Sequence, residues 1–371
     1  MNLFSSWSIG DMPLRNRIVM APMTRARAND EGVPSPHTAT YYGQRSTAGL
    51  IVAEATNISP QAIGFANAPG IYTPEQIEGW KPVTDAVHAN GSKIFLQLWH
   101  TGRISLPMFH GGELPVAPSA VEFSASIFTR DGRAQAVTPR ALRTEEIPGI
   151  VNDYAQAAAN AMEAGFDGVE LHAATGMLPT QFLHASSNTR TDEYGGSLER
   201  RARFILDVLD ACLAVTGASR TAVRLFPYST YLESGEIDPV ETYTYLLQQL
   251  SPRALGYVHL VEGQTGPIAL PEGLPSFLNI ARDTLNCDLI VNGGYDRESG
   301  NALIAEGLVD AVAYGAPFIA NPDLVERFAN DWPIETTDRA IFYGGDEAGY
   351  IDFPSYSAQQ GRSRLPQSCS L

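Results

Sequence analysis

KIFLQLWH, residues 93–100, is an almost unbroken apolar run with a single amide, Gln97, inside it. Near-continuous apolar runs of this length mark strands buried on both faces, as in parallel sheets. Seven more such runs flank it: RIVMAPM (17–23) and GLIVAEAT (49–56) before it, then GVELHAA (168–174), TAVRLFP (221–227), GYVHLVEG (256–263), DLIVNGG (288–294) and DAVAYG (310–315). Helical stretches lie between them. Thr73-Pro74-Glu75-Gln76 opens one with a cap residue, a first-turn proline and an acid behind it. Another runs from Glu145 to Glu163, and another from Ser197 to Val215 with Gly217 as its stop. Repeated β–α units without a composition break predict an α/β fold, a single (β/α)8 TIM barrel spanning residues 1–371 as one domain.

The 371 residues, 44% of them hydrophobic, are enough for one large core of that kind. A net charge of −16 argues against nucleic acid as a partner, because phosphate binding needs a basic surface. No apolar run approaches the roughly 20 residues of a membrane span, and the N-terminus has no signal-peptide core, so no membrane partner is expected. The three cysteines, Cys212, Cys287 and Cys369, have neither disulfide-framework nor metal-ligand spacing. A reduced, cytoplasmic chain without a metal site is the expectation. The longest irregular stretch, Thr101 to Arg143, follows the third strand and is long enough to be a functional cover. The last forty or so residues read as a tail folding back over the barrel, flexible from about 355 to 371.

In such a barrel the chemistry sits where the strands end. That rule gathers Thr24, Glu54-Ala55-Thr56, Gln97 with Trp99-His100, His172, Arg224, Gly293-Gly294 and Gly315-Ala316 at one mouth. A polar side chain inside an apolar strand costs roughly 1–3 kcal/mol if left unpaired. Gln97, His172 and Arg224 converging there imply either a ligand or a satisfied polar network.

Long segments of the chain resemble the Old Yellow Enzymes. They are Leu14 to Arg25 (LRNRIVMAPMTR), Gln97 to Arg103 (QLWHTGR), Arg190 to Ser197 (RTDEYGGS), Pro317 to Leu324 (PFIANPDL) and Phe342-Tyr343-Gly344-Gly345. The resemblance implies a barrel holding FMN at its mouth and passing hydride from NAD(P)H to the β-carbon of an enone. It implies that Thr24 and Ala55 border the flavin, that Gln97 meets its pyrimidine edge, and that Arg224 stabilises its reduced anion. Backbone amides of Gly293, Gly294 and Gly315 would take the phosphate. His172 would grip the substrate carbonyl, with Phe65, Trp99 and Tyr343 lining the pocket.

Four positions depart from the family pattern. After His172 the chain reads Ala173-Ala174-Thr175-Gly176-Met177, so Thr175 replaces the second carbonyl-gripping residue and Met177 replaces a proton-donating tyrosine. Phe65 stands for another pocket tyrosine, and Ala316 for the arginine that clamps the FMN phosphate. Loss of a charge-assisted phosphate contact weakens binding by about 10- to 100-fold.

Two readings follow. In the first, FMN is weak or absent and no cofactor is required. His172, near neutrality in its ordinary pKa, with Tyr343 and Arg224, then moves a proton beside a carbonyl, with Thr24, Phe65, Trp99, Thr175 and Met177 holding the substrate. That redox-neutral isomerase or epimerase would resemble fungal secondary-metabolism relatives acting on polyketide-type natural products. In the alternative, the protein is an FMN- and NAD(P)H-dependent ene-reductase, since Thr24, Gln97 and Arg224 are all retained. A non-catalytic scaffold is disfavoured by His172 inside a pocket. Either catalytic reading takes a small-molecule carbonyl compound as substrate. The charged run Arg200-Arg201-Ala202-Arg203 reads as a helix face, and Arg130 and Arg133 as solvated loop charges or a cap on the mouth.

Overall fold

The computed structural model describes residues 1–229, 238–262 and 273–363. Eight parallel strands close into a barrel: β1 (Ile18–Met20), β2 (Leu50–Asn57), β3 (Lys93–Trp99), β4 (Gly168–Ala173), β5 (Thr221–Leu225), β6 (Tyr257–Val261), β7 (Asp288–Asn292) and β8 (Ala311–Tyr314). Each pairs with its neighbour in sequence, and β8 closes on β1 through Val312↔Ile18 and Ala313↔Val19. All eight apolar runs are therefore strands, trimmed by a few residues where the backbone turns out of the sheet toward the mouth.

The helices between them form the outer ring. The Thr73 cap is a full capping box, its hydroxyl accepting from Gln76 N while the Gln76 side chain returns to the Thr73 backbone. The helix expected from Glu145 begins with a 3₁₀ turn, Thr144–Glu146, and continues as Ile147–Glu163. Leu198–Thr216 ends at Gly217, whose φ of 83° suits glycine. On that helix Arg203 lies 3.6 Å from Asp207 at i,i+4, which places the charged run on a structural face.

Three apolar clusters divide the interior. The largest fills the space between barrel and helices. A second packs inside the barrel base and includes Val19, Leu50, Val52, Phe95, Ala222, Tyr257 and Ile290. The N-terminal hairpin, Trp7–Ile9 against Met12–Leu14, plugs this base with Ile9, Met12 and Leu14. A third cluster lies at the mouth under the long loop.

That loop folds a two-stranded hairpin, Ser126–Thr129 against Gly132–Gln135. Ile127 points into the mouth cluster, while Arg130 at the tip pairs with Asp30 in the loop after β1. Arg130 is thus tied across the mouth, and Arg133 donates to the Ser126 carbonyl of its own hairpin.

The tail does fold back. Tyr350 is fully buried, its ring stacked 4.2 Å from that of Tyr41. Arg25 fixes this segment by donating to the Phe342 and Gly349 carbonyls, each at 2.8 Å. Within the stretch expected to be flexible, Tyr356–Ser363 is a helix, because the Tyr356 ring stacks on Trp332 and its N–H donates to Asp323. Cys369 and the rest of 364–371 lie outside the described residues. Cys212 is buried, and Cys287 half-buried, each as a free thiol. No helix among the described residues is long and apolar enough to cross a membrane.

Candidate active site

Alternate residues of a strand face the same side. At the barrel base the inward residues are Val52, Phe95, Ala222, Tyr257 and Ile290. Two residues further along the same strands stand Glu54, Gln97, Arg224, His259 and Asn292. One step toward the mouth turns the barrel interior from apolar to polar. On β4 the step is set by Gly168, where an added Cβ would lie 2.5 Å from the Phe95 ring. Glycine gives that ring room, and the next inward residues of β4 are Glu170 and His172.

Among these side chains two hydrogen-bonded groups form, one around Glu170 and one around Arg224. Gln97 Nε2 donates to Glu170 Oε1 at 2.7 Å, and His259 Nδ1 meets Glu170 Oε2 at 3.0 Å. Arg224 Nη2 donates to Asn292 Oδ1 at 2.9 Å, and Asn292 Nδ2 to the Ala313 carbonyl at 2.8 Å. Burial raises the Glu170 carboxyl, but His259, Arg224 and Gln97 outweigh it and hold it below the ordinary carboxylate range. It is therefore ionised. A carboxylate only accepts, so Gln97 must give it the amide and keep its carbonyl oxygen for the other side; His259 must carry its proton on Nδ1.

Burial, reinforced by the positive charge of Arg224, pushes His172 down to about 3. His172 is therefore neutral at physiological pH. The expectation of a base poised near neutrality is corrected on that ground: desolvation and Arg224 remove the proton affinity that such a base requires. Its Nδ1 is buried without a partner among the described residues, and its Nε2 stands 3.4 Å from Thr175 Oγ1.

Above this layer, aromatic rings hold the pocket wall. Phe65 stacks on Trp99 at 5.2 Å between centroids, and Trp99 on His172 at 6.2 Å. Trp99 Nε1 donates to Asn57 Oδ1 at 2.8 Å, which fixes the indole between them. Ala55, Trp99 and Met177 are buried in one cluster with Ile104, Leu106, Phe123 and Ile127 from the long loop. Thr24 is half-buried after β1. Tyr343 sits at the rim, 51% exposed, with its ring 6.4 Å from that of Phe128. Gly293 (φ 155°) and Gly294 (φ 84°) take backbone conformations that side chains disfavour. Gly315 caps the short helix Ala316–Ala320, and Ala316 is exposed.

Glu170, His259, Asn292 and Asn57 had not been singled out from the sequence. The signal for the first three was available: each lies at even spacing from an inward residue of its own strand. Asn57 carried no comparable signal, since its role depends on where Trp99 turns its indole.

A buried Arg224 Nε without a partner among the described residues, an acceptor offered by Gln97 and a glycine backbone at two strand ends together suit a planar, hydrogen-bonding, anionic group. FMN fits that description.

The family model described as NADH:flavin oxidoreductase / NADH oxidase matches residues 2–335. The chain belongs to this family. It is 46% identical over 356 residues to 12-oxophytodienoate reductase 1 of Oryza sativa subsp. japonica, covering 95% of this chain and 92% of the relative. It is 41% identical to 12-oxophytodienoate reductase 2 of Arabidopsis thaliana, covering 95% of each chain. Among solved structures, morphinone reductase superposes with a TM-score of 0.91 at 45% identity, covering 98% of both chains. The old yellow enzyme homologue from Zymomonas mobilis superposes with a TM-score of 0.92 at 39% identity, covering 95% of this chain and 99% of the other.

These matches overturn the expectation that no cofactor is required. The flavin family match runs through Ala316, so losing one arginine has not taken the chain out of a flavin-using family. Arg224, Gln97 and the glycine backbone remain in place around the substituted positions. The relatives whose names state an activity are 12-oxophytodienoate reductases of two plants and morphinone reductase, not isomerases of fungal secondary metabolism, which favours the reductase alternative.

Proposed function

We propose that this protein is an FMN-dependent, NAD(P)H-using ene-reductase of α,β-unsaturated carbonyl compounds. The observation that carries this over a redox-neutral isomerase is the state of His172, neutral down to about 3. An imidazole whose conjugate acid lies at about 3 is too weak a base to take a carbon-bound proton efficiently, yet its N–H still donates to a carbonyl oxygen.

Thr24, Ala55, Gln97 and Arg224 would hold the ring of FMN, and the backbone of Gly293, Gly294 and Gly315 its phosphate. When bound, FMN supplies the hydride chemistry that links NAD(P)H to the substrate β-carbon. Arg224 would set a positive charge beside the bound ring and so favour its reduced, anionic form. His172, with Thr175 beside it, donates to the substrate carbonyl oxygen and draws charge away from the alkene. Phe65 and Trp99 give the substrate a flat apolar wall and exclude water from the reacting face. Met177 has no proton to give, so the α-carbon takes its proton from water or from a hydroxyl at the rim, where Tyr343 stands. The reductase names of relatives acting on 12-oxophytodienoate and morphinone support an oxo-alkene substrate class.

The test is the visible spectrum of purified protein, followed by NADH and NADPH consumption with 2-cyclohexenone. Yellow protein that oxidises either nucleotide only when the enone is present is expected. Colourless protein that takes up no added FMN would remove the proposal.

A further inference from the structure

Of the two buried carboxylates in the polar layer, Glu54 accepts from the backbone of Arg25 and Ala26, whereas Glu170 lies beside Gln97 and Arg224 and is fully buried. Its two oxygens are each committed to a donor, Gln97 at 2.7 Å and His259 at 3.0 Å. It stands in register with Gln97 across β3 and β4, and two residues before His172 on its own strand. His172 is in turn in register with Arg224 across β4 and β5. A buried charge held by two donors is costly to create and survives where something nearby uses it. Gln97 and His259 alone give no reason for an ion, because a neutral glutamine could serve both once His259 moved its proton to Nε2.

We infer that Glu170 is a positioning residue that tunes the flavin site electrostatically, offsetting Arg224 so that a bound flavin is harder to reduce than Arg224 alone would make it. This rests on the FMN reading above. A fixed negative charge in a low-dielectric interior acts over longer distances than in water. It therefore disfavours added electrons on the ring just as Arg224 favours them. The pair together sets a potential low enough for the reduced flavin to pass hydride onward and high enough for NAD(P)H to load it.

The experiment compares E170Q, E170D and the unaltered protein, each folded by circular dichroism and loaded with FMN, by measuring the flavin midpoint potential in a dye-coupled titration. E170Q keeps the size and deletes the charge, so its potential is expected to move upward. E170D keeps the charge but shortens the side chain, so its potential is expected to stay near that of the unaltered protein. A role confined to packing gives the opposite order, with the shortened side chain perturbing more than the isosteric one. An unshifted potential in E170Q, or a shift in E170D as large as in E170Q, overturns the inference. If E170Q is not recovered folded, E170M combined with H259L removes the charge together with one of its donors and must show the same upward shift. Failure of the unaltered protein to bind FMN would count against the reductase reading, a result distinguishable from all of these.

Discussion

Thr175 Oγ1 stands 3.4 Å from His172 Nε2, and Thr175 holds that place with a left-handed backbone, φ 48°. A β-branched residue there is a steric outlier, costing roughly 1–2 kcal/mol relative to a right-handed backbone. Asparagine tolerates the same backbone far better. T175N is therefore expected to raise the unfolding free energy by about 0.5–1 kcal/mol and the melting temperature by a degree or more. It also adds an amide donor beside His172, so KM for a cyclic enone should fall. A lower melting temperature in T175N would show that the Thr175 hydroxyl contributes more to the site than the strain takes away.

The neutral state of His172 sets an acid limb on stability. Its folded pKa is depressed from 6.5 to about 3, mainly by burial. Below pH 6.5 the unfolded chain takes up a proton that the folded chain refuses. Stability is thus full above that value and declines as the pH falls toward 3, with a slope of up to about 1.4 kcal/mol per pH unit from this group. His100, also pushed down to about 3 by burial, adds to the same limb. His110 and His259 are lowered too, and H172N removes one of these contributions. Urea midpoints at pH 7.5 and pH 4.5 should therefore differ less in H172N than in the unaltered protein, and equal differences would contradict the neutral assignment.

Much of this arrangement can be read from the sequence, because strand burial writes itself as apolar runs. The runs around Gln97 and Arg224 located both strand and site, since a polar residue in a doubly buried strand needs a partner. Glu170 and His259 follow the same rule, Glu170 in a run that also holds the more conspicuous His172. The state of His172 was not readable at all. It depends first on burial in the closed barrel and then on Arg224, which lies 52 positions away in sequence and beside it only through the β4–β5 register. The reading of Ala316 failed differently: one missing contact was weighed as if the remaining donors could not carry the cofactor, although phosphate affinity is shared among backbone and side-chain groups.

Met177 is buried against the wall that holds Trp99, where the resemblance implies a proton-donating tyrosine. M177Y would return a hydroxyl there at a packing cost of about 1–3 kcal/mol, which a domain of this size tolerates. With a proton source in place, reoxidation of the reduced enzyme by an enone should accelerate by about 10-fold, less than the roughly 100-fold or more that a positioned acid contributes over none, because water or a rim hydroxyl already supplies the proton. Stopped-flow absorbance of the flavin reads this step apart from its reduction. A folded M177Y whose reoxidation is no faster would show that α-carbon protonation does not limit the reaction.

Ala316 offers the sharpest test of the phosphate end. It is exposed, directly after Gly315 at the start of a five-residue helix, so an arginine there displaces no packed neighbour. The guanidinium would add a charge-assisted contact to whatever the backbone amides already hold. A316R is expected to tighten FMN binding by about 10-fold, the lower end for such contacts because the position is solvated. Flavin fluorescence quenching at low and at high salt measures this, and the gain should shrink at high salt as screening sets in. The flavin potential should barely move, since the added charge sits at the phosphate and not at the ring. Unchanged affinity at both salt concentrations would mean that another cation already neutralises the phosphate, and that the alanine leaves nothing for an arginine to restore.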